Sequence, residues 1–276
     1  MHGPVAVIGL GLIGGSLARA LAEQGIPVRG WSTSADDRAL AGAAGVGVAA
    51  AAAAAVAGAA TVVFAIPVDR LATTVPPLLG LLERDAVALH AGGVQRQQAL
   101  HLHDAHYARL LGTHPLAGSH NSGFSASRPD LFAGATVSME ARADASAREH
   151  AEWLWRAVGA TEMVYRSADE HDHLMTWVSH LPQLAATALA ATLAGCGVDP
   201  RDVGPGGRDT TRLAASPFEQ WRPLLAAAPG DLAAALRVLE ARLQELRQVV
   251  EHPDTAALAA FWSSARAWRQ EMERGQ

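Results

Sequence analysis

The stretch VAVIGLGLIGGSLARAL, Val5–Leu21, decides the fold of this 276-residue chain. Its first four residues predict a short buried strand, and the glycine spacing GxGxxG leads from that strand into an apolar helix. Gly9 allows a tight turn, Gly11 lets a ligand approach the backbone, and Gly14 lets the helix pack closely against the strand. Free N–H groups at the start of such a helix face a bound phosphate. The stretch predicts a dinucleotide-binding site; a glycine turn without a ligand is the alternative.

Further candidate cofactor-binding residues lie beside these glycines and at the end of a later strand. Leu12 and Ile13 fall within the glycine motif, and Ile66 and Pro67 end the strand that begins at Thr61. Ligands of open α/β sheets bind at the carboxyl ends of the strands, so we expect these four residues to border the cofactor.

The residues after the second predicted strand, Pro27–Trp31, bear on the choice of cofactor. NAD-specific sites place an acid near this point, where this chain has three hydroxyl side chains and a nearby arginine: Ser32, Thr33, Ser34 and Arg38. Asp36 and Asp37 come later, in the predicted start of the next helix, so no carboxylate is expected to repel a 2′-phosphate. The pattern favours NADP, with NAD as the alternative.

Composition excludes several classes of partner. A net charge of −5 with no basic run argues against nucleic acid and against an anionic membrane surface. Residues 39–68 are long enough to span a membrane, but alanine and glycine make them too weakly apolar. A single cysteine, Cys196, is consistent with a reducing cytoplasm, where we expect the protein. All 22 basic residues are arginines, so anions must be bound by Arg, His or backbone N–H groups.

The order of elements predicts an α/β fold with a doubly wound, mostly parallel sheet of the Rossmann type. Thr61–Ile66 and Val87–His90 predict buried strands, with an apolar helix, Leu71–Leu82, between them. Ala49–Ala60 predicts a low-complexity helix. The fold therefore provides a strand edge beside the glycine motif where a substrate could meet the cofactor.

From Ala168 onward the pattern is helical, which predicts two domains: a dinucleotide-binding domain over 1–167 and an all-helical substrate and dimerisation domain over 168–276. Asp231–Val250 and Ala256–Met272 carry apolar side chains at helical spacing. So much apolar helix in so small a domain predicts burial against a second copy, in a homodimer.

His114 is the candidate catalytic residue. It follows an apolar stretch, Tyr107–Leu111, that predicts a strand, and it precedes a long loop rich in glycine, serine and asparagine. A histidine at a strand end beside the cofactor crevice is placed to accept a proton. A capping or core histidine is the alternative at this point.

Two other groups of polar residues suggest metal ligands at first sight. They are His101, His103, Asp104 and His106, and the sequence DEHDH at 169–173. On a helix, only residues three or four apart share a face, so few of these side chains could converge. We interpret both as exposed polar helices and predict no metal site.

Four stretches together resemble the prephenate/arogenate dehydrogenase family of tyrosine biosynthesis. They are GLGLIGGS at 9–16, THPLAGS at 113–119, EHDHLMTWVSHLPQ at 170–183 and GGRDTTRLAASPFEQW at 206–221. The resemblance spans nearly the whole chain and implies a Rossmann domain followed by a helical dimerisation domain. It also implies the oxidative decarboxylation of a cyclohexadienyl acid, prephenate or arogenate, with NAD(P)⁺.

The resemblance assigns roles to individual residues. His114 matches the histidine that takes the substrate's hydroxyl proton, and Arg212 matches an arginine that binds a substrate carboxylate, with Asp209 helping to place it. Trp221 matches a tryptophan that lines the site, from the same subunit or from the partner. The remaining candidate substrate-binding residues lie in the matching motifs: Ser119, His120, Ser179 and Gln183.

Three positions depart from the family pattern. Where relatives usually show D-x-G-S-x-K, this chain has HAGGVQ, so Gly93 replaces a serine that assists the catalytic histidine. His120 stands where a glutamate is common, and Gln183 replaces the second histidine of SHLPH. The first departure weakens the expected hydrogen-bond relay, and the other two alter the part of the site that faces the substrate's side chain.

Two other functions compete with this one. β-Hydroxyacid dehydrogenases share the Rossmann-plus-helical architecture but use an active-site lysine, and this chain contains no lysine. A non-catalytic NADP-binding sensor is supported only by Gly93, and His114 and Arg212 argue against it.

Overall fold

The computed structural model describes residues 3–119, 121–252 and 254–274. Its centre is an eight-stranded sheet in the order β3-β2-β1-β4-β5-β6-β7-β8. Neighbouring strands are parallel except β6 and β7, which are antiparallel. The strands are β1 Val5–Ile8, β2 Val28–Trp31, β3 Gly47–Val48, β4 Thr61–Phe64, β5 Val87–His90, β6 Leu110–Pro115, β7 Thr136–Glu140 and β8 Glu162–Arg166. The predicted α/β fold with a mostly parallel sheet is confirmed.

Helices connect these strands and make up the chain after β8. The first seven are α1 Leu12–Glu23, α2 Ala35–Ala43, α3 Ala52–Val56, α4 Val68–Leu79, α5 Gln97–Leu100, α6 Asp104–Tyr107 and α7 Ala145–Ala157. The later ones are α8 Ala168–Met175, α9 Leu181–Gly195, α10 Pro205–Thr211, α11 Phe218–Ala227, α12 Pro229–Glu251 and α13 Thr255–Arg274. A π-helical turn, Thr176–His180, joins α8 to α9. The helical pattern predicted from Ala168 onward is therefore present.

Strand β1 occupies the middle of the sheet because both of its faces are apolar. Val5 and Val7 pack into the core on one face, and Ala6 and Ile8 pack into the core on the other. The chain then turns at Gly9, whose φ of 100° favours glycine. A Cβ on Gly14 would lie 1.8 Å from the Gly9 carbonyl oxygen, so only glycine lets α1 begin this close to the turn.

Several predicted boundaries are wrong. The strand before the candidate histidine begins at Leu110 and runs to Pro115, so His114 lies inside β6, and Tyr107 ends α6 instead of starting a strand. The alanine-rich segment forms only the five-residue helix α3. The helix expected over Leu71–Leu82 starts at Val68 and ends at Leu79, with two prolines near its end. Alanine and leucine runs carry little information about where a helix stops.

The chain divides into two compact units, residues 1–228 and 229–276. The second unit consists of α12 and α13, whose side chains Val250, Trp262 and Trp268 are about two-thirds exposed. This division differs from the domain boundary at 167/168, which stays a prediction. In the part of the chain that the structure describes, no helix is both long and apolar enough to cross a membrane.

Candidate active site

A crevice opens at the carboxyl ends of β1, β4 and β5, where the glycine turn lies. One cavity of about 460 Å³ is lined there by Gly11, Leu12 and Ile13, by Ile66 and Pro67, and by Gly92 and Gly93. A Cβ on Gly11 would meet no atom within 4 Å, and α1 begins without a side-chain cap on its N–H groups. Open space beside uncapped helix N–H groups suits a pyrophosphate. Five of the predicted cofactor residues therefore border a space that fits the group.

A second cavity of about 600 Å³ shares Gly11, Ile66 and Pro67 with the first and extends along the end of β2. Three residues predicted to bind the cofactor, Gly9, Ser32 and Thr33, line it. Asp37 and Arg70, which the sequence analysis did not place there, line it as well. The position beyond β2 suits the adenosine half of a dinucleotide.

Two of the predicted cofactor residues, Ser34 and Arg38, form hydrogen bonds within the protein instead of lining the cavity. The Ser34 hydroxyl caps α2 by accepting the Asp37 N–H (3.1 Å). Arg38 donates to the Ser32 carbonyl. Neither side chain lines the cavity along β2. The expectation that no carboxylate stands near Ser32 is wrong, because α2 turns Asp37 into this cavity, where its Oδ1 also accepts the Phe124 N–H (2.9 Å).

His114 faces two different surroundings through its two ring nitrogens. Its Nδ1 lies 3.0 Å from Nε2 of His171, and Nδ1 of His171 lies 2.7 Å from Oδ1 of Asp172. On the other side, a Cβ on Gly93 would lie 3.5 Å from Nε2 of His114. Since Gly93 lines the first cavity, Nε2 is the nitrogen next to the space where cofactor and substrate could meet.

The prediction that residues 169–173 form an exposed polar helix is wrong for two of them. His171 is 0 % exposed and Asp172 is 4 % exposed, although both stand on helix α8 among polar neighbours. Asp172 accepts the backbone N–H groups of Gln95 (2.8 Å) and Arg96 (2.9 Å) from the loop after β5. These contacts join α8 to the sheet and hold the carboxylate directly behind His171.

Burial lowers the pKa of three histidines in and around this cluster, His90, His114 and His180. Loss of hydration, together with repulsion from His171 and neighbouring histidines, lowers the pKa of His114 to about 3. Burial likewise lowers the pKa of His90 to about 3, and it lowers the pKa of His180. His114 is therefore unprotonated near neutral pH, as a proton acceptor must be.

The third cavity, of about 430 Å³, contains most of the predicted substrate-binding residues. Ser119, Gln183, Arg212 and Trp221 line it, with Gly118, Leu213 and Ser216. Ser119 also lines the first cavity, so the two spaces adjoin at this residue. Among the described residues, the Arg212 guanidinium forms no hydrogen bond or ion pair, so its charge is available to an anion.

The Gln183 side chain is held in one orientation. It is 5 % exposed, and its Nε2 donates to the Leu213 carbonyl (2.9 Å) and lies 3.4 Å from the Thr187 hydroxyl. Because a carbonyl can only accept, the NH₂ end of the amide must face Leu213. Oε1 is then left buried and without a hydrogen-bond partner among the described residues.

Two of the predicted residues that the structure describes do not line this cavity. Asp209 lies on the exposed surface of α10, and no bond joins it to Arg212 in the described ranges. Ser179 lies in the π-helical turn and lines none of the cavities described above. His120 lies outside the described residues. Trp221 lines the cavity of its own chain and packs edge-to-face on His180, with ring centroids 5.9 Å apart.

The sequence analysis missed four residues of the site: His90, His171, Asp172 and His180. Their burial depends on contacts between segments far apart in the chain, such as Gln95 with Asp172. One usable signal existed for His171, since helical spacing places it on the same face as the buried Met175.

Comparison with known proteins agrees with this architecture. The family model of the prephenate dehydrogenase nucleotide-binding domain matches residues 17–164, more than half of the chain, and that of the dimerization domain matches residues 167–263. Cyclohexadienyl dehydrogenase of Zymomonas mobilis is 29 % identical, over 91 % of this chain and 89 % of its own length. Prephenate dehydrogenase of Bacillus subtilis is 27 % identical, over 98 % of this chain and 76 % of its own.

A solved structure shows the same fold. It is the prephenate dehydrogenase of Aquifex aeolicus in complex with hydroxyphenyl propionate and NAD⁺, which superposes with a TM-score of 0.89 at 24 % identity and covers 99 % of both chains. With both family models matched in order along it, the chain belongs to the prephenate dehydrogenase family.

Proposed function

We propose that this protein catalyses the NAD(P)⁺-dependent oxidative decarboxylation of prephenate or arogenate, in tyrosine biosynthesis. The substrate is a cyclohexadiene ring with a hydroxyl group on one carbon and a carboxylate on the opposite carbon. The products are 4-hydroxyphenylpyruvate from prephenate, or tyrosine from arogenate, with CO₂ and reduced cofactor. Formation of the aromatic ring drives the reaction.

The residues of the crevice have distinct roles in this chemistry. When bound, the nicotinamide supplies the acceptor for the hydride that leaves the hydroxyl-bearing carbon. Nε2 of His114 takes the hydroxyl proton, and the imidazolium returns it to the phenolate oxygen after CO₂ has left. The Arg212 guanidinium binds a substrate carboxylate from the adjoining cavity. Protons and electrons therefore balance without another reactant.

The observation that carries this proposal is the placement of His114. Its Nε2 lies beside Gly93, which lines the same cavity as the glycine turn. The pKa of about 3 leaves the ring neutral, so that one of its two nitrogens has a lone pair to accept a proton. A β-hydroxyacid dehydrogenase would need a lysine here, and the chain has none. A non-catalytic sensor would not require an unprotonated histidine at this position.

An assay of the purified protein tests the proposal. Prephenate and arogenate are each added with NADP⁺ or NAD⁺, and reduced cofactor is followed by its absorbance. We expect turnover with at least one of the four combinations. Binding of a dinucleotide without turnover in any of them would favour the sensor instead.

For the cofactor, we propose that NADP⁺ is preferred. Ser32 and Thr33 offer hydroxyl groups at the end of β2, and Arg70 brings a positive charge to the same cavity from α4. Asp37 opposes a phosphate there, but its carboxylate already accepts the Phe124 N–H. We expect a higher kcat/KM with NADP⁺ than with NAD⁺, and the reverse preference would refute this part of the proposal.

For the substrate, we propose that arogenate is used at least as well as prephenate. The two differ only at the side chain, where arogenate carries an ammonium and prephenate a keto group. The NH₂ of Gln183 is engaged by Leu213 and Thr187, so its free group is Oε1, which can accept from an ammonium but cannot donate to a keto oxygen. Gln183 also stays neutral at every pH.

For assembly and location, we propose a homodimer in the cytoplasm. Large apolar side chains on α12 and α13 are exposed, and burial against a second copy would remove them from water: Val238, Leu243, Val250, Trp262, Trp268 and Met272. The match to a dimerization domain supports the same assembly. Sedimentation at micromolar concentration should give twice the mass of one chain.

A further inference from the structure

We propose that His171 and Asp172 are positioning residues that fix the tautomer and orientation of His114. At Gly93 this chain lacks the serine that, by the resemblance to the family, assists the histidine. The inference rests on the proposed function, in which Nε2 of His114 must be free to accept a proton. The three side chains form a row, in which Oδ1 of Asp172 lies 2.7 Å from Nδ1 of His171 and Nε2 of His171 lies 3.0 Å from Nδ1 of His114.

The direction of donation along this row follows from its far end. Both carboxylate oxygens of Asp172 already receive backbone N–H groups, from Gln95 and Arg96. A carboxylate can only accept, so Nδ1 of His171 must donate to it. In the tautomer of His171 whose proton lies on Nδ1, Nε2 has a lone pair directed at His114, and Nδ1 of His114 donates to it. The lone pair of His114 is thereby left on Nε2.

The opposite polarity would disable the proton acceptor. If Nε2 of His171 carried a proton, it would donate to Nδ1 of His114, and the neutral ring of His114 would carry its own proton on Nε2. That nitrogen could then not accept the substrate's hydroxyl proton. Asp172 opposes this tautomer, because its carboxylate holds the ring proton of His171 on Nδ1.

Among the described residues, no hydrogen bond holds the His114 ring on its cavity side. A Cβ on Gly93 would be in ordinary van der Waals contact with Cε1 and Nε2 of His114, at 3.5 Å each, so a serine would fit there. The glycine has no hydroxyl group to offer. Orientation of the ring must therefore come from the Nδ1 side, where His171 is completely buried.

The base of the row is held by backbone instead of flexible side chains. Gln95 donates its N–H to Asp172 and accepts the Tyr107 hydroxyl on its carbonyl (3.1 Å). The Tyr107 hydroxyl also lies 2.6 Å from Glu140 on strand β7. Asp172 is thus tied to the sheet that carries His114, and the row keeps its geometry independently of the substrate.

Three variants at neighbouring positions of α8 test the role. His171→Leu removes the acceptor for Nδ1 of His114, whereas His171→Gln places an amide oxygen near the position of the lost Nε2. His173→Gln is the matched control, because His173 is exposed on the same helix and packs on Trp177. Each variant is first tested for dinucleotide binding, and kcat and KM are then measured.

We expect His171→Leu to lower kcat about 10²-fold, because a mis-oriented base loses most of the rate acceleration of a positioned one. The KM for the substrate and the KM for the cofactor should change little. His171→Gln should recover at least tenfold of that loss, and adding Gly93→Ser to His171→Leu should recover part of it. Equal activity of the Leu and Gln variants, or full activity of His171→Leu, would overturn the proposal.

A spectroscopic measurement separates failure of this inference from failure of the proposed function. Histidine labelled with ¹⁵N reports which ring nitrogen carries the proton, and the His114 signals are assigned by their loss in His114→Asn. We expect the Nδ1–H form in the unmodified protein, whether or not it turns over a substrate. The Nε2–H form in the unmodified protein would overturn the assignment of His171 and Asp172, even if the enzyme is active.

Discussion

The two cavities proposed for the cofactor and the one proposed for the substrate have different linings. The first two are walled largely by backbone and small residues at successive strand ends, such as Gly9 and Gly11 after β1 and Pro67 after β4. The third is walled by individual side chains from separate elements, Gln183 on α9, Arg212 after α10 and Trp221 on α11. A point substitution leaves backbone contacts in place, whereas it removes every contact that the replaced side chain makes. Substitutions should therefore cost more on the side of the crevice where His114 and Arg212 lie.

The largest effect is expected for His114→Asn. Loss of the proton acceptor should lower kcat by about 10²- to 10⁴-fold, the usual contribution of a positioned base, while the dinucleotide dissociation constant stays the same. Steady-state kinetics and a binding titration measure the two quantities. Activity near that of the unmodified enzyme would show that His114 is not the acceptor.

Arg212→Ala should act mainly on substrate binding. A charge-assisted hydrogen bond is worth about 1.5–3 kcal/mol, so KM for the substrate should rise roughly 10- to 100-fold with a smaller change in kcat. Arg208→Ala is the control, because Arg208 is exposed and donates to the Val203 carbonyl. A fall in kcat at unchanged KM would instead place Arg212 in the chemical step.

The buried histidines beneath the crevice should make the fold sensitive to acid. The pKa of His90 is lowered to about 3 in the folded protein, so between about pH 6.5 and pH 3 only the unfolded chain binds this proton. Stability should therefore fall as pH falls, by about 2 kcal/mol between pH 7.5 and pH 5 for this residue alone. The free energy of unfolding, measured with denaturant, should depend less on pH in His90→Gln than in the unmodified protein. The same pH dependence in the variant and the unmodified protein would contradict this role of His90.

Gln183→His should shift substrate preference within an otherwise unchanged cavity. The imidazole can become cationic and repel the ammonium of arogenate, so the ratio of kcat/KM for arogenate to that for prephenate should fall about tenfold, or about 1.4 kcal/mol. Parallel assays at one pH measure the ratio. A tenfold preference for prephenate in the unmodified enzyme would refute the role of Gln183.

The smallest effect is expected on the cofactor side, for Ser32→Asp. A carboxylate at the end of β2 should shift the preference from NADP⁺ toward NAD⁺ by roughly fivefold, about 1 kcal/mol, by repelling a 2′-phosphate. Ser34→Ala is the control, since Ser34 caps α2 and does not line the cavity. If both variants change the ratio equally, the cavity along β2 does not hold the phosphate.

The same contrast explains what could be predicted from the sequence. The glycine turn depends on residues adjacent in the chain, and Gly9, Gly11, Leu12 and Ile13, which the sequence predicts to bind the cofactor, all line a cavity. The sequence analysis placed Asp37 away from Ser32, but the first turn of α2 directs it into the cavity at the end of β2. Polar spacing alone cannot indicate that a residue is buried.

His171 and Asp172 show this limit most clearly. Their sequence, within DEHDH, is what an exposed helix would have, and their burial follows from the Gln95 and Arg96 N–H groups some 76 residues away. The resemblance to a known family supplied His114 and Arg212, but it supplied no partner for His114 other than a serine that the chain lacks. Only the folded structure places His171 next to His114, with the Asp172 carboxylate on the far side of His171.

The central claim is that one active site couples hydride transfer to loss of the ring carboxylate. Recording reduced cofactor and released CO₂ in the same reaction, with arogenate or prephenate as substrate, tests it most directly. The account predicts equal amounts of the two products at every time point, and loss of both together in His114→Asn. Reduced cofactor without CO₂ would indicate an ordinary alcohol dehydrogenase, and neither product despite bound dinucleotide would indicate a sensor.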